Sequence, residues 1–156
     1  MEGTIVVGQP AGTDPSRCPP GQSQLWIQLQ ELPRRLRGDA AGEIATGSDG
    51  EWTESVREAY ADRIVARLRT HIVNLDDILL KRVALSPADL EAHNINLVGG
   101  DPYSGACSID QFHLNRPFAG SRAPATAIAG LFHIGASTHP GPGLAGGSGH
   151  QLAAKL

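Results

Sequence analysis

The sequence predicts an α+β protein, an antiparallel sheet packed by helices. Two β-prone runs near the N-terminus, one long amphipathic helical stretch and a third β-prone run after it carry that expectation. The 156 residues suffice for one domain with a modest core. Apolar residues make up 40%, while 19 Gly and 11 Pro suit short elements separated by many turns.

The first run is Thr4-Ile5-Val6-Val7, short and β-branched. A Pro- and Gly-rich loop over 9–22 returns the chain to residues 23–32 (SQLWIQLQEL). There Leu25, Ile27 and Leu29 alternate with Trp26, Gln28 and Gln30, the pattern of a strand with one buried face. A polar, Gly-rich loop fills 34–52. Residues 55–74 read as the main helix: Ser55 and Glu58 have capping-box spacing, and Val56, Tyr60, Ile64, Leu68 and Ile72 form an i, i+4 stripe. The stretch ILLKRVAL, residues 78–85, reads as a third strand of one sheet beneath that helix. Ser86-Pro87-Ala88-Asp89 then opens a short helix with Pro at its first position. Leu131-Phe132-His133-Ile134 reads as a compact apolar strand, and after a glycine-rich turn residues 147–156 read as a terminal helix.

Thirteen basic and 16 acidic side chains give a net charge of −3 and no basic stripe, which argues against a nucleic-acid partner. No apolar run approaches the ~20 residues of a membrane helix, and the start MEGTIVVGQP lacks the regions of a signal peptide. The expectation is a soluble, cytoplasmic protein. Arg34, Arg35 and Arg37 read as a solvated face, with a peripheral membrane contact as the alternative. Cys18 and Cys107 lack CxxC spacing and point to neither a zinc site nor a disulfide scaffold.

Charge is placed unevenly. All 16 acidic residues lie at or before Asp110, and after Phe118 only Arg122 and Lys155 are charged. Eight of the 15 residues from 135 to 149 are Gly or Pro. An exposed tail of this size would ordinarily carry charge. The tail therefore reads as a surface made to be covered, by more protein or by a ligand.

Gly141-Pro142-Gly143-Leu144-Ala145-Gly146 matches G-x-G-x-x-G between a strand and a helix, where backbone N–H groups approach anions. An autonomous dinucleotide fold needs a βαβ unit and a later acidic residue, and neither follows Gly146. The loop reads as a close-approach loop for a cofactor or as a plain glycine turn. Among His71, His93, His113, His133, His139 and His150 no pair has HExxH spacing, and no carboxylate follows Asp110, so no metal site is expected. His133 reads as a core residue of its strand, and His139, at the mouth of the glycine turn, as the better candidate for a functional role. Ser137 beside His139 lacks the G-x-S-x-G setting and an orienting Asp. Asp110 and Arg116, polar groups in an apolar frame, read equally as a structural pair, as turn caps or as substrate-facing groups.

Four blocks carry a family resemblance. Gly130-Leu-Phe-His-Ile-Gly135-Ala136-Ser-Thr-His139-Pro140-Gly141 with Gly149-His150-Gln151 is the specific one, and Ser108-Ile-Asp110-Gln111-Phe-His-Leu-Asn-Arg116-Pro117 lies just upstream. Glu58-Ala-Tyr60-Ala-Asp62-Arg63 and Leu85-Ser86-Pro87-Ala-Asp89-Leu90-Glu91 are supportive. Together they resemble the C-terminal portion of phytoene desaturase-like FAD-dependent oxidoreductases. That group includes phytoene dehydrogenases, retinol saturase, carotenoid isomerase relatives and the pyridine nucleotide-disulfide oxidoreductase domain-containing branch. Pro142 departs from the three consecutive glycines commoner in the family.

The resemblance implies that residues 1–128 are part of a substrate-binding domain and 129–156 the closing strand and helix of an FAD-binding domain, whose N-terminal Rossmann half is absent. It implies FAD as the cofactor of the complete enzyme, not bound by this chain alone, and an apolar, polyene-like substrate that is desaturated, saturated or isomerised. Gly135 and Ala136 would approach the ribityl or pyrophosphate region. Gly143, Leu144, Ala145 and Gly146 would run past the isoalloxazine, with the last helix aimed at its pyrimidine edge, where a helix N-terminus carries about half a positive charge. No catalytic residue is assigned; His139 is the first to mutate. The expected partners are the missing FAD-binding half, the apolar substrate and a second copy of the chain meeting through the tail. The alternative is a stand-alone, non-enzymatic binding module for an apolar ligand or partner protein.

Overall fold

The computed structural model describes residues 3–103, 106–112, 115–120, 124–143 and 146–156. It divides into two compact units, Met1–Pro33 and Arg34–Leu156.

The first unit is a two-stranded antiparallel ribbon. Strands β1 (Ile5–Gly8) and β2 (Trp26–Leu29) pair with Ile5 opposite Leu29 and Gly8 opposite Trp26. The loop between them carries the short helix α1 (Pro10–Thr13) and a 3-10 turn, where the Asp14 carboxylate accepts from the Ser16 N–H. The expected burial of alternate β2 side chains is not observed: Leu25 and Ile27 are exposed, as is Trp26 at 60%. A two-stranded ribbon has little of its own to cover a face.

The second unit is built on α2 (Glu54–Arg69). Thr53 caps it by accepting from the Val56 N–H, so the cap lies two residues before the expected Ser55. Ser55 instead shares a hydrogen bond with the Thr53 hydroxyl. Of the expected stripe Val56, Ile64 and Leu68 are buried, whereas Tyr60 is half-buried and Ile72, also half-buried, lies beyond the helix, which ends at Arg69. Val65 and, on the one-turn helix α3 (Leu75–Ile78), Leu75 complete the buried set. Helix α4 (Pro87–His93) starts with a full capping box between Ser86 and Asp89. Two short helices follow, α5 (Ile109–Phe112) and α6 (Gly147–Ala153).

Two expected strands are corrected. Of the expected strand over 78–85, Ile78 lies in α3 and residues 79–85 pair with no strand among the described residues. Their β propensity is satisfied only locally: Arg82 reaches back to Glu58 and Asp62 on α2, while Leu80, Val83 and Leu85 stay exposed. Residues 131–134 form only a single bridge, Ala125 opposite Phe132, supported by the His133 N–H donating to the Pro124 carbonyl at 2.8 Å. The described sheet therefore has two strands.

Arginine–carboxylate contacts do in this unit what a third strand was expected to do. The loop before α2 is tied down through Asp39, whose carboxylate accepts both guanidinium arms of Arg63 at 2.8 and 2.6 Å. Asp39 also accepts the N–H groups of Glu43 and Ile44. The Arg63 guanidinium, before these backbone donors, holds the Asp39 carboxyl well below the usual carboxylate range. A depressed folded-state value means stability that is complete above the unfolded value of ~3.9 and fades as pH falls below it. On acidification from about pH 6 to about pH 2 the chain is expected to lose more stability than its Asp39→Asn variant. Equal losses in denaturant titrations at both pH values would show that the Asp39 pairing is not coupled to folding.

Candidate functional site

The C-terminal loops gather around one guanidinium. Arg116 is 3% exposed. Its Nε donates to the Gln111 carbonyl at 3.3 Å, its Nη2 to the Ala106 carbonyl at 3.2 Å, and its Nη1 to the Ala136 carbonyl. A planar fork of donors suits carbonyls arriving from three directions. Gln111 lies on α5, so Arg116 links that helix, the segment before it and the turn that follows residues 131–134. Asp110 accepts from the Gln111 side chain, and hydrogen bonds from Ser108 first, then Gln111, lower its carboxyl from the ordinary value.

The turn itself is closed by Thr138, which is fully buried. The Thr138 N–H and hydroxyl both donate to the Gly135 carbonyl, at 3.0 and 2.8 Å. The Gly141 N–H donates to the Thr138 carbonyl at 2.6 Å. The Gly135 N–H donates to Ser148 Oγ at 3.0 Å, which joins the turn to the first turn of α6. Gly147 faces Pro140, whose Cγ would lie 2.8 Å from any added Cβ, so a hydrogen is what fits there.

The structure thus brings Gly135 and Ala136 together with the start of α6, whose N-cap is Gly146. Gly143 is described and exposed, whereas Leu144 and Ala145 lie outside the described residues. Gly135 (φ 121°) and Gly146 (φ 62°) adopt left-handed conformations that favour glycine. A Cβ at Gly135, Gly143 or Gly146 would meet nothing within 4 Å. The bare backbone there is open, as it is at Gly21, Gly38, Gly42, Gly120 and Gly130, and leaves room for a flat or extended ligand such as a flavin without selecting one. Both polar backbone groups of Gly135 are engaged within the protein, so that residue offers room rather than a hydrogen bond.

His133 is corrected. It is exposed, not a core residue, and its Nε2 lies 3.3 Å from Ser137 Oγ. Its segment makes one bridge among the described residues, and Leu131, Phe132 and Ile134 are exposed beside it. His139 is half-buried on the turn. Arg34 and Arg35 are drawn into pairs with Glu51, and Arg34 also with Glu91, so these two arginines are neutralised rather than presented as a basic patch. The roles of Ser148 and Thr138 were not legible in the sequence: a serine and a threonine in a Gly-rich stretch carry no periodic or motif signal.

Comparison with known proteins adds what geometry alone does not. The chain is 30% identical over 144 residues to mouse (Mus musculus) pyridine nucleotide-disulfide oxidoreductase domain-containing protein 2, covering 92% of this chain and 23% of that protein. It is 30% identical over 145 residues to the lycopene-forming phytoene desaturase of a Paracoccus species, covering 92% of this chain and 25% of that protein. These relatives support membership of the phytoene desaturase-like oxidoreductase family, at low identity. A limonene dehydrogenase polypeptide of Castellaniella defragrans is 30% identical over 107 residues, 68% of this chain and 19% of that protein. The chain thus spans about a quarter or less of the phytoene desaturase-like relatives it matches, consistent with a fragment of an oxidoreductase. No family model and no solved structure matches it. Among the described residues no helix is long and apolar enough to cross a membrane.

Proposed function

We propose that this chain is the C-terminal segment of an FAD-dependent oxidoreductase that acts on an apolar, polyene-like substrate by desaturation, saturation or isomerisation, and that it is inactive alone. The observation that carries this reading is the alignment of 92% of the chain with only 23–25% of two oxidoreductase relatives. When bound, FAD supplies the hydride chemistry, and the protein supplies position, dryness and electrostatics. The part of this chain would be to close the cofactor site. Gly135 and Ala136 would stand at the ribityl or pyrophosphate region, and Gly143, Leu144, Ala145 and Gly146 would run along the isoalloxazine. The open space beside Gly135, Gly143 and Gly146 supports that placement, because a side chain there would keep a ring system at a distance.

The apolar side chains of the tail fit the same reading. Phe118, Ile128 and Leu131 are 68%, 63% and 51% exposed, a surface that would be covered by the FAD-binding half or by a second copy of the chain. The same exposure favours, as a second reading, a binding module for an apolar ligand or partner protein. The two separate on cofactor affinity. In this family most dinucleotide contacts would come from a Gly-rich βαβ half that lies outside this chain. The purified chain is therefore expected to be colourless and to show no saturable flavin fluorescence change at micromolar FAD. A yellow protein with near-stoichiometric flavin absorbance would overturn the division of the cofactor site between two halves.

A further inference from the structure

Arg116 stands apart from the other arginines. It is the one arginine among the described residues that is buried, and its guanidinium donates to three backbone carbonyls. Arg34, Arg57, Arg63, Arg69 and Arg82, by contrast, lie nearer the surface. A buried guanidinium is retained at a desolvation cost, and hydrogen bonds to fixed dipoles help to offset it. Those dipoles come from Ala106, Gln111 and Ala136, and the last sits in the turn with the open backbone at Gly135.

We propose that Arg116 is a positioning residue for the cofactor-facing turn: by holding the Ala136 carbonyl from one side, it aims the bare backbone of Gly135 outward. This rests on the reading of that turn as flavin-facing. Arg116 donates to the Ala136 carbonyl. Ser148 accepts from the Gly135 N–H, and Thr138 closes on the Gly135 carbonyl. Three successive peptide groups are thereby each held by a hydrogen bond within the protein. A lysine, a single compact ammonium, cannot reach three diverging carbonyls as the guanidinium fork does.

The test uses the intact chain and two variants, Arg116→Ala and the milder Arg116→Lys, in case the alanine chain fails to fold. Amide exchange by NMR reads the turn directly at Gly135, Thr138 and Gly141, with the α2 amides as an internal control. Exchange at least about tenfold faster at the turn with α2 unchanged is expected for both variants, larger for alanine, and free guanidinium at millimolar concentration restores Arg116→Ala where equimolar NaCl does not. Unchanged turn amides, or loss of protection spread equally over α2, would overturn the positioning role. A second arm separates the underlying reading: millimolar FAD is expected to shift the amides of Gly135, Gly143 and Gly146 in the intact chain, and to do so in Arg116→Ala only with guanidinium present. If the exchange result holds but FAD moves none of these amides, the flavin-facing reading fails and Arg116 is a structural tie alone. If FAD shifts them equally with and without guanidinium in the variant, the positioning proposal fails.

Discussion

Replacing Leu68 by alanine is expected to destabilise the second unit by about 2–5 kcal/mol, enough to abolish its cooperative transition. The described apolar core consists of Val56, Ile64, Val65, Leu68 and Leu75, with Leu68 only 6% exposed. Domains are stable by only about 5–15 kcal/mol in total, so a core this thin has little in reserve. Helix α2 is the one long helix among the described residues, which makes helical circular dichroism a direct reporter of its melting. Urea titration of the intact chain should show one transition, and Leu68→Ala should show a broad, sloping loss of helix from the lowest concentrations. A transition shifted by less than about 1 kcal/mol would mean that the unit is held by its ion pairs and not by this stripe.

Removing the tail after Arg122 is expected to change the association state of the chain. Ile128, Leu131, Phe132 and Ile134 expose between 39% and 63% of their surface, all within a few residues and with no charged neighbour between them. Apolar area left in water favours association at about 25 cal/mol per Å² buried. Light scattering of the intact chain should therefore report a dimer or larger species that dilutes slowly, and the truncated chain a monomer. If both are monomeric and equally soluble, the tail needs no cover and its apolar side chains are not an interface.

What was legible in the sequence was what depends on near neighbours. The stripe from Val56 to Leu68 and the Ser86–Asp89 capping box are set by spacings of three and four residues, and both are present. Misread were elements whose form depends on a distant partner. Residues 79–85 have strand composition, but a strand needs another edge, and here the side chain of Arg82 found Glu58 and Asp62 first. Leu131-Phe132-His133-Ile134 failed for the same reason, and with it the inference that His133 is buried. In the candidate site the glycines could be picked out by type and clustering, whereas the contacts that hold them, Arg116 to Ala136 across 20 residues and Ser148 to Gly135 across 13, follow no local pattern. Arg116 drew notice with Asp110 as one of two polar groups in an apolar frame, but its targets include backbone carbonyls, which composition cannot reveal.

The coding sequence immediately upstream of Met1 bears most directly on whether this chain is one part of a flavin-dependent oxidoreductase. A continuous reading frame is expected there, encoding a strand, a Gly-rich turn and a helix, with an acidic residue for the ribose about 20 residues further on. An in-frame stop directly before Met1, with no such segment encoded nearby, would contradict the proposed function and leave the binding-module reading in its place.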